Sequence, residues 1–262
     1  TEKEDIESVW AAINDPNKVV VVQTAPAVRV AIGEEFGMEP GSIVTGQLVS
    51  SLRMLGFDYV FDTDFTADLT IIEEGHELLK RLKEGGTLPM LTSCSPGWIN
   101  FIEQYYPELL PHVSSCKSPQ QMFGALAKGY FPEKIGKKPS DIVSVSIMPC
   151  TAKKFEALRE EMSVDGVNQD VDIVLTTREL GKMLRQAGID FENLPEDEYD
   201  APFGISTGAA VIFGATGGVM EAALRTVYEV VTGKTLEQID FKDVRGLKGV
   251  KEAVVDLDGT PV

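Results

Sequence analysis

Residues 142–156 read IVSVSIMPCTAKKFE, an apolar β-branched run that leads through a cysteine into a helical pattern. Residues 142–148 predict a strand of a parallel sheet. Helices cover both faces of such a strand, so its sequence is a largely apolar run. Cys150 follows directly, and residues 151–161 predict a helix with Thr151 as its cap. Since parallel sheets place ligands at the carboxyl ends of their strands, this stretch predicts a fold class and the position of a site.

The same alternation of strand and helix runs through the chain. Further strands are predicted at 19–23, 59–61, 88–93 and 172–175. Helices are predicted at 28–36, 45–55, 64–83, 96–105, 118–130, 177–187 and 217–232, with Ser118 and Thr177 as caps. Residues 191–202 are acidic and loop-like, and the tail at 241–262 holds two strand-like runs. Asp258 to Thr260 (DGT) predicts a turn after which no second arm is expected. Together these patterns predict an α/β fold with mainly parallel sheets.

Composition and charge exclude several classes of protein. The chain has 262 residues, of which 43% are hydrophobic, and a formal net charge of −17. Such a charge argues against nucleic acid and anionic membranes as partners, and favours either a solvated surface or docking to a basic patch. No apolar run reaches the roughly 18 residues of a membrane span. The acidic start, TEKEDIESVW, is not a signal or transit peptide.

Cysteine and histidine are scarce. The chain has three cysteines, Cys94, Cys116 and Cys150, and two histidines, His76 and His112. An odd number of cysteines without a C-x-x-C pair argues against a disulfide framework and a zinc site, and favours a cytoplasmic protein. We interpret Cys116 as structural.

Cys94 is predicted to sit like Cys150. In LPMLTSCSP (88–96) it follows a predicted strand, and Ser95 can cap a helix that has Pro96 in its first turn. A helix N-terminus lowers the pKa of a thiol, which favours thiolate chemistry or metal ligation. Two such thiols are expected to face one crevice. The alternative is that both are small buried hydrophobic residues.

Three other patterns leave alternatives open. Lys153 and Glu156 are spaced i, i+3, as in a surface ion pair or an ammonium placed beside an anionic ligand. Glu74 and Glu77 have the same spacing, and pattern alone favours an acidic solvated face. The glycine-rich GATGGVMEAAL (214–224) either cradles an anion at a helix N-terminus or packs tightly, and it matches no nucleotide-binding fingerprint.

The motifs resemble a known family. TSCSPGW (92–98) resembles the first signature of the [FeFe]-hydrogenases, TSCCPxW, and MPCTAKKFE (148–156) matches their second, MPCxxKxxE. TAPAVRVAIGEEFG, DFTADLTIIEEGHELL, YYPELLPHVSSCKSPQQMFG, TTRELGKML and FGATGGVMEAALRT are also similar to the catalytic domain of these enzymes. The resemblance covers the chain from about Asp15 to Val262.

The resemblance implies a fold, a cofactor and a reaction. It implies one H-cluster domain over residues 1–262, with two lobes of mainly parallel twisted sheet flanked by helices and the active site in the cleft between them. The cofactor is the H-cluster, a [4Fe-4S] cubane joined to a [2Fe] unit that carries CO, cyanide and a dithiolate. The reaction is the reversible reduction of protons to H2.

The resemblance also assigns residues to roles. The proton relay matches Cys94, Ser114, Glu77 and Glu74. Lys153 matches the lysine that holds a cyanide ligand. Pro26, Ser118, Gln120 and Met148 match residues of the diiron pocket, and Cys150 matches a cubane ligand.

Two departures from the family affect the cubane. Ser95 stands where the first signature has a cysteine ligand, and a hydroxyl is a much harder ligand than a thiolate. The third signature, which supplies two more cysteines, is absent, so the domain is expected to be incomplete at its C-terminus. Expected partners are ferredoxin or an electron-transfer subunit, maturation proteins, and a chain that carries the missing ligands. The alternative function is a non-catalytic iron–sulfur, sensory or assembly relative. A nucleotide-binding protein is disfavoured because no fingerprint is present.

Overall fold

A four-stranded parallel sheet forms the centre of the fold. The computed structural model describes residues 3–163, 166, 168–236, 239, 242–244 and 249–262. The strands are β1 (Val19–Thr24), β2 (Tyr59–Asp62), β3 (Ile142–Met148) and β4 (Ile173–Thr176). Their order is β2-β1-β3-β4, and every neighbouring pair is parallel. The predicted α/β fold is therefore confirmed, and all four carboxyl ends lie at one edge of the sheet.

Helices cover both faces of this sheet. In chain order they are α1 (Ile6–Ile13), α2 (Val28–Ala31), α3 (Thr45–Leu55), α4 (Thr63–Glu84), α5 (Pro96–Tyr105), α6 (Pro119–Gly129), α7 (Phe131–Lys134), α8 (Ala152–Ala157), α9 (Thr177–Gln186) and α10 (Gly218–Thr232). The core on one face takes buried residues from α1, α3 and α9. The core on the other face takes them from α6 and α7.

The valine run of β1 contributes side chains to the hydrophobic cores on both faces of the sheet. Val20 and Val22 pack into the first core, whereas Val21 packs into the second beside Phe61 and Phe123. Successive side chains of a strand point to opposite faces, so a continuous valine run is what a doubly covered strand requires. Burying each such side chain contributes about 1.5–3 kcal/mol.

The long helix α4 connects the sheet to the second part of the molecule. The Asp62 carboxylate, at the end of β2, accepts a hydrogen bond from the Asp64 N–H and so caps α4. The helix ends at Gly85, whose φ of 78° suits glycine. Between these ends α4 packs against both α6 and α10. Within the described residues, no helix is long and apolar enough to cross a membrane.

The resemblance implies two lobes, each with a mainly parallel sheet. The described residues hold one parallel sheet, of four strands. The predicted strand at 88–93 forms only an isolated parallel bridge between Leu91 and Val113, because no neighbouring segment extends the ladder. The described C-terminal strands are two-residue antiparallel pairs: β5 (Lys242–Asp243) with β6 (Lys251–Glu252), and β7 (Asp256–Leu257) with β8 (Thr260–Pro261).

The tail corrects one sequence prediction. A second hairpin arm does follow the DGT turn, since β8 pairs with β7. Asp258 and Gly259 take φ values of 53° and 91°, the left-handed pair that a tight hairpin needs. Phe241, where the predicted tail begins, lies outside the described residues.

Several predicted helix ends also change. The helix predicted at 28–36 becomes a 3-10 turn from Ile32, and the one predicted at 151–161 ends at Ala157. The cap of α9 is Thr176, one residue before the predicted Thr177, because Thr176 and Glu179 form a capping box. Residues 191–202 are a loop apart from one short 3-10 turn, as predicted.

Capping was predicted correctly at one of three further positions. The Ser118 hydroxyl accepts a hydrogen bond from the Gln121 N–H, and Pro119 occupies the first turn of α6. Ser95 and Thr151 lie at the N-caps of α5 and α8, but neither side chain makes a capping hydrogen bond.

The glycine-rich motif is explained by close packing. A Cβ atom on Gly218 would lie 1.8 Å from the Ile212 carbonyl oxygen, so only glycine fits where α10 begins. Gly214, four residues earlier, has no neighbouring atom within 4 Å of such a Cβ.

We expect Gly218→Ala to destabilise the protein by about 1–3 kcal/mol, because the new methyl group must displace backbone. Gly214→Ala is the matched control and is expected to change stability little. Urea denaturation of both variants measures the difference. Equal midpoints for the two would contradict the packing explanation.

Candidate active site

The strand ends bring three predicted site residues to one edge of the sheet. The Ala25 N–H donates to the Ile147 carbonyl at 3.0 Å, so the turn after β1 lies beside the end of β3. Pro26 is exposed in that turn, and Met148 is buried at the last position of β3. Cys150 follows as an exposed thiol. The parallel topology predicts this position for a site.

Lys153 connects the segment of Cys94 to helix α8. Its Nζ donates to the Cys94 carbonyl at 2.9 Å and to both Glu156 carboxylate oxygens at 3.0 Å. The side chains of Lys153 and Glu156 are only 13% and 4% exposed. The expectation of a surface ion pair is therefore wrong. Removing one partner of a buried pair costs about 3–5 kcal/mol, since it leaves an uncompensated charge.

Glu156 was paired with Lys153 in the sequence but was given no role in the site, and the structure places it at the centre of a buried hydrogen-bond cluster. Its Oε2 accepts from the Ser118 hydroxyl at 2.8 Å and from Gln120 Nε2 at 3.0 Å, in addition to Lys153. This carboxylate thus ties the N-terminus of α6 to α8. Its position in the second signature, one helical turn after Lys153, was the sequence feature that pointed to a role in the site.

Cys94 is more buried than its place before a helix suggested. Burial raises the pKa of the Cys94 thiol, the Glu74 charge raises it further, and Lys153 offsets part of the rise. The expectation of a lowered pKa is therefore wrong for Cys94. The reason is that desolvation and a nearby carboxylate outweigh the end of a short helix.

Glu74 is an isolated buried carboxyl group. It is 1% exposed, and neither of its oxygens has a hydrogen-bond partner among the described residues. Burial raises the pKa of Glu74 to about 7. The Ser93 amide and the Ser114 hydroxyl are near enough to offset part of that rise, although neither reaches hydrogen-bonding geometry. The solvated face that pattern alone favoured is therefore wrong for Glu74.

Glu77 has the opposite environment one turn along α4. It accepts hydrogen bonds from the Ser114 hydroxyl at 2.8 Å, the Ser115 N–H at 3.0 Å and Arg81 Nη2 at 2.6 Å. The Cys116 thiol donates to it at 3.7 Å. Burial by itself would raise the pKa of Glu77, but Ser114 and Arg81 outweigh burial and hold that pKa below its usual value.

Ser114 lies between these two carboxyl groups. It is 6% exposed, donates to Glu77 and is close enough to Glu74 to influence its pKa. Glu77 also lines an open cavity of about 530 Å³. The groups therefore lead from the partly buried Cys94 through the buried Glu74 and Ser114 to Glu77 at the open cavity.

The residues fit the two halves of an H-cluster unequally. Lys153 supplies an ammonium suited to an anionic ligand of a diiron unit, and Gln120 Oε1 is a buried acceptor with no partner among the described residues. A [4Fe-4S] cubane requires four thiolates or close substitutes. Cys150 is one, and Ser95 is an exposed hydroxyl. Among the described residues, no group of three or more His, Cys, Asp or Glu side chains is arranged to hold a metal ion.

Because folding raises the pKa of Glu74 and lowers that of Glu77, replacing each by Gln should change the stability at pH 8 in opposite directions. The pKa of Glu74 is raised from 4.5 to about 7 on folding, so its contribution becomes unfavourable as the pH rises through that range. Each pKa unit corresponds to about 1.4 kcal/mol. We expect Glu74→Gln to stabilise the protein at pH 8 by up to a few kcal/mol and to have little effect at pH 4.

Glu77→Gln is the control on the same helix. The pKa of Glu77 is lowered on folding, so its carboxylate is stabilising above its unfolded pKa. This variant is expected to lose stability at pH 8. Urea denaturation of both variants at pH 4 and pH 8 tests the contrast, and a loss of stability at pH 8 in both would contradict it.

Comparison with known proteins agrees with this geometry. The family model described as "Iron only hydrogenase large subunit, C-terminal domain" matches residues 18–262. The chain is 58% identical to the NADP-reducing hydrogenase subunit HndD of Solidesulfovibrio fructosivorans, over 98% of this chain and 45% of that protein. It is 32% identical to a cytosolic Fe-S cluster assembly factor of Danio rerio, over 92% of this chain and 61% of that protein.

A solved structure agrees as well. An apo [FeFe]-hydrogenase variant from Chlamydomonas reinhardtii superposes with a TM-score of 0.85 at 51% identity, over 97% of this chain and 65% of that one. The chain thus spans about half to two thirds of the length of the proteins it matches. With its parallel sheet, both signature segments and the family match in agreement, the chain belongs to the C-terminal domain family of the iron only hydrogenase large subunit.

Proposed function

We propose that this chain is the catalytic domain of an [FeFe]-hydrogenase, which reversibly reduces protons to H2. The observation that carries the proposal is the series Cys94, Glu74, Ser114 and Glu77, in which Glu74 and Ser114 are buried and Glu77 lines an open cavity. A protein without proton chemistry has little use for an unpartnered carboxyl group at 1% exposure. Burying such a group costs free energy, and functional sites are where such costs are found.

The hydrogen bond from Ser114 to Glu77, the nearby buried Glu74 and the pKa directions of the two carboxyl groups support a proton path. Inward transfer begins when Glu77 takes a proton from water in the cavity and donates it to the Ser114 hydroxyl oxygen. The hydroxyl then releases its own proton to Glu74. With a pKa of about 7, Glu74 is able both to accept this proton and to pass it to Cys94 near neutral pH. H2 oxidation uses the same groups in the reverse order.

The H-cluster supplies the two-electron chemistry, and the chain's residues hold and orient it. Lys153 carries three N–H donors, and it can turn one from the Glu156 carboxylate towards a cyanide ligand. Gln120, Ser118, Met148 and Pro26 would line the diiron unit when it is bound. Cys150 is the proposed cubane ligand, with Ser95 at a second ligand position.

The proposal requires partners. Cys150 is the one cysteine placed to bind the cubane, so further ligands must come from outside this chain. Ferredoxin or an electron-transfer subunit supplies electrons, and maturation proteins install the diiron unit. The match to a protein named as a hydrogenase subunit supports such an assembly. A cytoplasmic location stays a prediction.

An iron–sulfur assembly or sensory role is the second candidate. Ser95 at a ligand position and the single cubane cysteine favour it, as does the match to a cluster assembly factor. The proton-relay residues favour the enzyme, because an assembly role gives no reason to retain the complete series.

We expect the protein, matured anaerobically together with the partner that supplies the missing cluster ligands, to show infrared bands of metal-bound CO and cyanide, which ordinary proteins lack. Cys94→Ala should keep these bands and lose at least about 10²-fold in H2 turnover, the usual effect of removing a proton-transfer group. Retained bands serve as the control for cofactor loading. Absent bands, with a control hydrogenase matured successfully, would favour the second candidate, and so would an unchanged rate in Cys94→Ala.

We also expect Ser95→Cys to raise the iron content of chemically reconstituted protein. A thiolate binds cluster iron far more strongly than a hydroxyl does. Iron and sulfide assays measure the gain, and Ser95→Ala is the control that removes the hydroxyl without adding a thiol. Equal iron content in all three proteins would show that position 95 does not ligate the cluster.

A further inference from the structure

His76 lies at the outer end of the proton path. It is exposed on α4, directly before Glu77, and both residues line the cavity of about 530 Å³. Its Nδ1 is 2.7 Å from the Ile72 carbonyl oxygen. A carbonyl oxygen only accepts, so Nδ1 carries the hydrogen and Nε2 is the nitrogen that takes up a further proton.

The cavity around His76 is rich in charge. Its remaining titratable groups are Glu73, Glu77, Lys80, Arg81 and Glu84 from α4, together with Cys116 from the loop that approaches it. Glu77 is the member of this set that continues inward, through its hydrogen bond from Ser114. The cavity therefore joins solvent to the first carboxylate of the relay.

Proton supply from water alone limits a fast enzyme. At pH 7 the proton concentration is about 10⁻⁷ M, and a diffusion-limited encounter at roughly 10¹⁰ M⁻¹s⁻¹ delivers only about 10³ protons per second. Imidazole is the side chain that changes charge between pH 5 and pH 8, so buffer acids can reload it rapidly. An imidazole at the mouth of the path removes the dependence on free protons.

We propose that His76 is a proton-collecting residue for the relay, an inference that rests on the proposed function. Its Nε2 takes a proton from a buffer acid and forms imidazolium. That proton passes through water in the cavity to the Glu77 carboxylate, and the imidazole returns to its neutral form with hydrogen on Nδ1. No electrons move, and the buffer base is the only other product.

The first test uses the chain without its cofactor. Only two histidines are present, so His76→Gln and His112→Gln assign both imidazole signals in a proton NMR titration. Glu77→Gln should shift the His76 imidazole signals at pH 7, because His76 and Glu77 line one cavity. The His112 signals should stay in place. Unchanged His76 signals overturn the inference.

The second test uses the matured holoenzyme. In dilute buffer at pH 7, His76→Gln should lower H2 evolution several-fold, and added imidazole should restore the rate. His112→Gln is the matched control, because His112 Nδ1 also bonds to a carbonyl, that of Pro89, but His112 does not line the cavity. Identical buffer dependence in His76→Gln and the parent protein overturns the inference.

The two tests separate the inference from the proposed function. A parent protein that carries CO and cyanide bands but evolves no H2 defeats the proposed function. The NMR comparison of Glu77→Gln with the parent then tests by itself whether His76 is coupled to the first carboxylate of the relay. Coupling together with imidazole rescue supports both.

Discussion

The buried contact of Lys153 with Glu156 and the Cys94 carbonyl is the interaction on which the site depends. It joins the segment before α5 to α8, while Ser118 and Gln120 bring α6 to the same carboxylate. One ammonium and one carboxylate thus fix three segments that are distant in sequence. In a low-dielectric interior each charge is costly without its partner. Separating the segments would leave an uncompensated buried charge, so the ion pair holds them together.

Helix α4 places two chemically different carboxyl groups one turn apart. Among the described residues no group hydrogen-bonds the buried Glu74 carboxyl, whereas Glu77 is surrounded by donors at an open cavity. Burial raises the pKa of the first, and the donors lower the pKa of the second. Two carboxyl groups whose environments separate their pKa values can hold different protonation states near neutral pH.

The sequence predicted the core of the fold because local rules and packing agree there. The run of Val19–Thr24 is rich in valine on both faces, that of Ile142–Met148 has Val143, Val145 and Ile147 on one face, and both form central parallel strands. Residues 88–93 look similar in isolation but reach only one bridge, from Leu91 to Val113. A strand exists only where a neighbour completes its hydrogen bonds, and no local pattern contains that neighbour.

The sequence by itself determined the α/β class, the family resemblance, the position of Cys150 at a strand end, and the departure at Ser95. The tertiary structure alone decided which charges are buried. Glu74 and Glu77 have the same spacing as many surface pairs, and Lys153 with Glu156 reads as an exposed ion pair until α6 and the Cys94 segment cover it. Side-chain identity is local, but the dielectric around a charge and the donors that reach it are set by segments far away in the chain.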